Sequence, residues 1–340
     1  MKIRSFVALC ALALTVALAG FLTPTSALAQ GGKPGQTNLS PEEQTMFKAI
    51  TTAPDVAAKL KAADVLIKKH PRTQVRERVA REVASQIADV KDAAQKVALA
   101  QQFKDIFTEP TEQQMIIPEL IDALAGVNRF EEAFASGAEF LTRNPDSLTV
   151  LVQLATVGTD QAKHKNPKFV PQSLQYGTHA IELIEADKKP AELDDANWKK
   201  FKSTMLPSLY QSTGILNLVR GDRGAAKSRL AKAAEVAPTD PFNYLLLAGI
   251  LNEEYQDAAT HYQSMPNGPA KDEEMKKILA SLDQVIDAYA HTIALAEGNE
   301  RLAPVRQQYL QDLESYYKYR HNNSTEGMQQ LIDKYKVAAK

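Results

Sequence analysis

The chain has six histidines, the side chains best suited to bind a metal or to move protons near neutral pH: His70, His164, His179, His261, His291 and His321. None sits in an H-E-x-x-H or similar spacing that would place two ligands on one helix face. His179 and Glu182 lie three residues apart, which on a helix is the spacing of an ordinary solvated pair, and no third ligand is specified. The sequence therefore predicts no metal and no cofactor.

Acid pairs and nucleophile motifs give no catalytic signal. Asp194-Asp195 and Glu273-Glu274 are adjacent in sequence, so on a helix they point in different directions and are better suited to stabilise its N-terminus. No G-x-S-x-G motif and no glycine-rich phosphate loop is present. We predict that the protein is not an enzyme. A shallow site assembled from distant helices is the alternative, because it would leave no local motif.

The N-terminus has the pattern of a secretory signal peptide. Lys2 and Arg4 precede an apolar run over residues 6–22, and Ala27-Leu28-Ala29 matches a cleavage site, so cleavage between Ala29 and Gln30 is predicted. A retained membrane anchor is the alternative, although the run is short and ends near Pro and Gly. The mature chain is therefore expected in the periplasm or outside the cell, without stable membrane insertion.

The position of the only cysteine and the distribution of charged residues limit the chemistry and the partners that the sequence predicts. The only cysteine, Cys10, lies in the predicted signal peptide, so the mature chain has no disulfide and no thiol chemistry. Lys2 and Arg4 are the only charged residues of 1–29, so the rest of the chain carries all 41 acidic residues and all but two of the 40 basic ones. Because the lysines are interspersed with acids, no nucleic acid partner is predicted.

After a flexible leader, residues 30–39, the sequence predicts helices throughout. Ser40, Pro41 and Glu43 form a helix start with a capping box, and the alternating β-branched runs of strands are missing. The expected helices lie near 41–51, 55–69, 74–88, 92–107, 112–125, 129–142, 147–159, 171–186, 194–219, 222–236, 241–254, 271–297, 302–320 and 325–338.

A repeat pattern is clearest over residues 207–240. Its defining residues are a large aromatic, a small residue, and then Ala, a bulky apolar residue, Ala and Pro: Tyr210, Gly214, Ala226, Leu230, Ala233 and Pro238. Small residues let two helices approach closely, and proline ends the second helix. This unit resembles the tetratricopeptide repeat (TPR), a pair of helices of roughly 34 residues.

Two further units carry a weaker form of the same pattern. The unit at 114–147 has Leu120 and Ile121 in its first helix, a turn over 126–132, and then Ala133, Phe140 and Pro145. The unit at Pro241–Met265 has Tyr244, Leu247 and Ala248 in its first helix, with Ala258 and Tyr262 in a shortened second helix. Three stacked units are enough to bury a continuous core.

The resemblance implies an all-α fold, a right-handed superhelical array of TPR-like helix-turn-helix repeats. We assign the array to residues 40–268 and a C-terminal helical cap to 269–340, since such an array needs its last apolar face covered. A coiled-coil arm over 271–297 is the alternative for the cap.

In TPR proteins the first helix of each unit lines a concave binding face. By this resemblance the groove residues are Gln211, Ile215, Leu218, Leu245 and Asn252. The alternative is that some of these positions belong to the core between repeats.

The segment 316–321 combines three tyrosines with three basic side chains. Such a mixture suits stacking on a sugar or binding an anionic segment, whereas the alternative is packing of Tyr316 and Tyr319 on adjoining helices. Asn323 with Glu326 is predicted to cap the last helix.

The function expected from these features is a non-catalytic protein–protein interaction scaffold or adaptor of the bacterial cell envelope, with a protein or peptide partner in the groove. The alternative is a soluble periplasmic binding module for a glycan or other small ligand. Exposed aromatic rings would favour the glycan, but the single tryptophan, Trp198, lies in a lysine-flanked segment suited to bracing a helix.

Overall fold

The computed structural model describes residues 39–336, in which the chain forms fourteen α-helices and no strand. The fold is therefore all-α and built of helical repeats, as predicted. The predicted signal peptide over 1–29 with its predicted cleavage site between Ala29 and Gln30, residues 30–38 of the predicted leader, and residues 337–340 lie outside the described residues.

The first of two compact units comprises residues 39–157 and 175–192 of the described chain. Its helices are α1 (Pro41–Thr51), α2 (Val56–Lys69), α3 (Arg76–Ala88), α4 (Ala93–Ile106), α5 (Pro110–Gly126) and α6 (Phe130–Arg143), with parts of α7 (Leu148–Lys163) and α8 (Val170–Glu185). From α1 to α6 successive helices pack together, and in addition α2 contacts α4 and α3 contacts α5. The helices thus contact their neighbours in sequence, and α2 and α3 also contact a helix of the next pair, which is the packing of a helical repeat.

Local signals set the start of the first helix. The Ser40 hydroxyl accepts a hydrogen bond from the Glu43 amide at 3.2 Å, while the Ser40 amide donates to the Glu43 carboxylate at 3.0 Å. Pro41 occupies the first turn, where its missing N–H is not needed. The predicted capping box is confirmed.

An ion pair joins α3 to α5. The Arg76 guanidinium donates from Nε to Glu112 Oε1 at 2.6 Å and from Nη2 to Glu112 Oε2 at 2.9 Å. The Glu112 side chain is buried and also accepts the Glu109 amide at 3.0 Å. The Glu112 hydrogen bond raises the pKa of Arg76. This two-pronged contact sets the register of the two helices.

Gly137 of α6 marks a close approach within the first unit. A Cβ atom there would lie 2.6 Å from Cδ1 of Leu154 on α7 and 3.2 Å from Cδ1 of Ile121 on α5. A larger residue would push these helices apart, so glycine permits the spacing.

The second unit comprises residues 158–174 and 193–336 of the described chain. Its helices are α9 (Asp195–Arg220), α10 (Arg223–Val236), α11 (Pro241–Ser264), α12 (Pro269–Leu295), α13 (Ala303–Arg320) and α14 (Met328–Asp333), with short 3-10 turns at Pro167–Phe169 and Glu300–Leu302. Here α9 packs on α10, α10 on α11, α11 on α12, and α12 on both α13 and α14.

The strongest sequence repeat forms the α9–α10 pair. A Cβ atom on Gly214 would lie 2.7 Å from Leu230 Cγ, and Ala226, Leu230 and Ala233 are completely buried. Tyr210 is also buried, and Pro238 follows the end of α10 at Val236. The predicted close approach of the two helices is therefore confirmed.

The prediction of two helices within the unit at Pro241–Met265 is wrong. Residues 241–264 form a single 24-residue helix, α11, where a turn was expected before Ala258. No proline or glycine interrupts the stretch from Ile250 to Ser264, and Leu251 and Tyr255 pack on the core of the unit. The hairpin partner is α12, which packs on α11. The predicted boundary after residue 268 falls in the turn between them, where Gly268 has a φ of 154°.

The C-terminal helices share one core. Ile278, Leu282, Ile286 and Ile293, the seam considered for a coiled coil, are all buried. Tyr289 stacks on Tyr309 with ring centroids 4.3 Å apart, and the Tyr309 hydroxyl donates to the Leu245 carbonyl at 3.2 Å. The seam is therefore part of this unit's interior.

The predicted cap of the last helix is wrong. The helix begins at Met328 after Gly327, which has a φ of 88°, and no side chain caps it. Asn322 and Asn323 instead adopt left-handed conformations, with φ of 50° and 66°. Asparagine tolerates this region better than most residues, so the pair ends α13 by a turn.

We predict opposite effects for alanine at two glycines of one helix pair. Gly214→Ala gains about 1 kcal/mol of helix preference but overpacks Leu230 by about 1–3 kcal/mol, so it should destabilise. The control Gly224→Ala, whose added Cβ would meet nothing closer than 3.9 Å, should be neutral or stabilising. Urea unfolding of both variants checks this, and an equal midpoint for the two would contradict the close approach.

The Arg76–Glu112 pair should matter far more than an exposed pair. Glu112→Gln keeps the shape and the capping bond but leaves Arg76 without its counter-charge, so a loss of about 3 kcal/mol is expected. Glu77→Gln, which removes an exposed pair with Arg81, should cost less than about 0.5 kcal/mol. Chemical denaturation measures both, and similar losses would argue against a positioning role for the pair.

Candidate interaction site

The groove residues predicted by resemblance lie in the packed interior of the second unit. Gln211, Ile215 and Leu245 are only 3%, 6% and 6% exposed. Gln211 Nε2 donates to Asn243 Oδ1 at 2.8 Å, so its amide is engaged inside the protein. A partner would have to separate packed helices to reach them.

The other two predicted groove positions also make internal contacts. Leu218 is partly buried against the cluster of Ile215, Ala226 and Leu230. Asn252 accepts the Tyr316 hydroxyl on Oδ1 at 2.9 Å. The alternative that the sequence left open, core between repeats, describes these positions.

The aromatic side chains considered for glycan stacking are mostly internal. Trp198 is 5% exposed and stacks on Phe201 with centroids 5.7 Å apart. Tyr316 packs edge-on against Tyr255, at a centroid separation of 5.6 Å, and Tyr317 is buried. Tyr319, expected to pack, is instead 63% exposed. Single exposed rings of this kind need no ligand.

No group of three metal-binding side chains occurs among residues 39–336. His179 Nε2 lies 2.8 Å from Asp146 and its Nδ1 lies 3.6 Å from Glu182. His179 thus contacts two exposed carboxylates, the predicted i, i+3 acid Glu182 and, in addition, Asp146. None of the described helices combines the length and apolarity that crossing a membrane requires.

A different surface emerges on α5 of the first unit. Between Met115 and Gly126 the helix carries only two charges, Glu119 and Asp122. Met115 and Pro118 are partly exposed and Asp122 is exposed, and their spacing places them along one side of the helix. Residues 116, 117, 120 and 121 are buried. The side of α5 that faces solvent is thus apolar apart from the carboxylates.

Gln153 of α7 borders this side of α5. Its side chain is 5% exposed, and its Nε2 donates to the Pro118 carbonyl at 3.2 Å. Gln153 also lies close enough to Asp122 to lower the pKa of its carboxyl. Its Oε1 is buried without a hydrogen-bond donor. One turn to either side on α7, Thr149 and Thr156 are partly exposed.

We call these residues the Asp122 face: Met115, Pro118 and Asp122 of α5, with Thr149, Gln153 and Thr156 of α7. All six belong to the first unit.

The carboxylate of Asp122 sits in unusual surroundings. Burial by the protein around it raises its pKa from 3.8 to about 6, the charge of Glu119 adds to the rise, and Gln153 and Lys96 oppose it. Yet the side chain itself remains exposed to solvent. Its exposure means that solvent screens part of these effects.

Lys96, the cation that acts on Asp122, donates its hydrogen bonds to other groups. Lys96 Nζ donates to the Ala88 carbonyl at 2.7 Å and to Glu119 Oε2 at 3.2 Å. Glu119 therefore has a counter-ion, whereas Asp122 makes no ion pair with any of residues 39–336. The Asp122 face therefore presents a negative charge, which is suited to hydrogen-bond donors, beside partly exposed apolar atoms.

Sequence reasoning missed the Asp122 face. The available signal was the pair Glu119 and Asp122 in an otherwise apolar stretch with a proline inside the helix. Gln153, 31 positions further along the chain from Asp122, carried no signal, because only packing brings it to α5.

The pKa of Asp122 predicts a pH-dependent loss of stability. Its folded-state pKa, about 6, exceeds the unfolded value, so the contribution is fully present below about pH 4 and is lost as the pH rises through about 6. Asp122→Asn should therefore raise the urea midpoint more at pH 7 than at pH 4. Asp105→Asn, an exposed acid on α4, should show no such difference. Parallel behaviour of the two variants would exclude a raised pKa at Asp122.

Comparison with known proteins found little. No family model matches the chain, and no curated protein matches its sequence. Among solved structures, a tetratricopeptide repeat protein from Parabacteroides merdae is similar with a TM-score of 0.39 and 11% identity, over 86% of this chain and 98% of that chain. At this level of similarity the fold and the site rest on the chain's own residues.

Proposed function

We propose that the protein is a non-catalytic interaction scaffold or adaptor of the bacterial cell envelope, and that the Asp122 face binds a segment of a partner protein. The observation that carries this proposal is the exposed carboxylate of Asp122, which makes no ion pair with any described residue and lies beside the partly exposed Met115 and Pro118. A protein partner would supply the missing contacts and cover the apolar atoms beside it.

The packing of the first unit supports this role. The α3–α5 ion pair and the close approach at Gly137 hold α5 and α7 in place. Their facing side chains are thus ordered before a partner arrives, which lowers the entropy cost of binding. Binding on rigid helices suits a scaffold, whose surface has to keep its shape.

The location in the envelope is supported by the N-terminal sequence. Lys2, Arg4, the apolar run and Ala27-Leu28-Ala29 together have the pattern of an exported precursor. A partner is therefore to be sought in the envelope.

Site-directed photocrosslinking tests the scaffold function. Because Cys10 is the only cysteine, a chain starting at Gln30 accepts a single cysteine as a unique attachment point. Met115→Cys, labelled with a benzophenone maleimide and irradiated with the envelope fraction of the source cells, should give discrete adducts with a partner protein. Met115 lies on the Asp122 face, so the adduct should depend on position.

The matched control is Asp105→Cys with the same label, placed on exposed α4. Adducts that appear at Met115→Cys and are absent at Asp105→Cys support binding at the face. The same adducts from both positions, or none from Met115→Cys, would refute a partner at this face.

A further inference from the structure

We propose that Asn267 is a site of spontaneous chemical modification, at which the side-chain amide is converted to a carboxylate through a cyclic succinimide. Asn267 and Gly268 lie in the turn between α11, which ends at Ser264, and α12, which begins at Pro269. The inference is independent of the proposed function, because this turn belongs to the second unit and the Asp122 face belongs to the first.

The reaction needs only two adjacent residues and water. The backbone nitrogen of Gly268 attacks Cγ of Asn267 and forms a C–N bond, while the bond from Cγ to the side-chain nitrogen breaks. That nitrogen takes the proton of the Gly268 amide and leaves as ammonia. Water then opens the ring at one of its two carbonyls, which gives aspartate or isoaspartate. The net change replaces a neutral amide with a carboxylate and adds one negative charge.

The sequence meets the main requirement of this reaction at Asn267 alone. A side chain on the residue after an asparagine hinders the approach of that residue's backbone nitrogen to Cγ, and glycine has no side chain. Gly268 follows Asn267, whereas every other asparagine in the sequence is followed by a residue with a side chain. Ring closure is therefore expected to be fastest at Asn267.

The structure leaves the attacking nitrogen unengaged. The Gly268 amide donates no hydrogen bond to any of residues 39–336, although the Gly268 carbonyl accepts the Lys271 amide at 2.9 Å. Gly268 has a φ of 154°, and a Cβ atom added there would meet nothing within 4 Å, so the ring has room to form. Asn267 is exposed, so water reaches both its amide and the succinimide.

The surroundings of Asn267 accommodate the charged product. Lys271 Nζ donates to Asn267 Oδ1 at 3.4 Å, so a carboxylate at this position would lie beside an ammonium group. Lys271 is held in the turn, because its Nζ also donates to the Met265 carbonyl at 3.0 Å and lies 4.9 Å from the centroid of the Tyr262 ring. The new charge would also precede the N-terminus of α12, where a negative charge is favourable.

The test follows the folded chain, starting at Gln30, during prolonged incubation at mildly alkaline pH, with peptide mass spectrometry as the measurement. We expect the peptide that contains Asn267 to become heavier by about one dalton and to separate into two species, aspartate and isoaspartate. Isoelectric focusing of the intact chain should show a matching gain of one negative charge. The matched internal control is Asn323, which is exposed but followed by Ser324, and it should remain an amide over the same period.

A variant and a reference peptide complete the test. Asn267→Gln keeps an amide but would have to close a larger ring, so the mass gain should disappear. A synthetic peptide of residues 262–272 gives the rate without the fold, and a folded chain that reacts as fast as this peptide supports an unengaged Gly268 nitrogen. The proposal would be overturned by reaction of the peptide without reaction of the folded chain. Equal rates at Asn267 and Asn323, or a mass gain that persists in Asn267→Gln, would overturn it as well.

Discussion

The close approach of α5, α6 and α7 at Gly137 is the constraint on which the candidate site depends. The hydrogen in place of a side chain there lets Leu154 and Ile121 come within contact distance of the α6 backbone. This spacing brings Gln153 of α7 to the Pro118 carbonyl of α5, at 3.2 Å. The same device, Gly214 against Leu230, joins α9 to α10 in the second unit. Small residues thus set helix spacing, and helix spacing sets which polar groups meet.

Asp122 illustrates a conflict between stability and binding. A carboxylate crowded by protein and by Glu119 is easier to protonate, so its ionised form opposes folding at neutral pH. Arg76 and Glu112 show the opposite arrangement, in which both charges satisfy each other inside the unit. Satisfied charges hold the helices, and an unsatisfied charge remains free to interact with another molecule. Functional sites are the places where such local costs are expected.

Reasoning from the sequence succeeded where the signal was local and failed where contacts were distant. Ser40 with Glu43 predicted a helix start, and Gly214 with Ala226 predicted a close helix pair, because both depend on residues near in sequence or on a repeat with known spacing. Asn252 and Leu245 were assigned to a groove by position in that repeat. In the structure α13 packs against both positions, since the Tyr316 hydroxyl bonds Asn252 and the Tyr309 hydroxyl bonds the Leu245 carbonyl.

The sequence by itself determined the all-α class, most helix boundaries and the α9–α10 repeat, because capping, helix periodicity and small-residue spacing act within a few turns of chain. Only the tertiary structure decided that residues 241–264 form one long helix. A continuous helix lets Leu251 and Tyr255 pack against the core of the second unit, which stabilises it. It also decided where the candidate site lies. Asp122 and Gln153 belong to different helices, and their shared environment, including the raised pKa of the carboxyl, exists only once those helices pack.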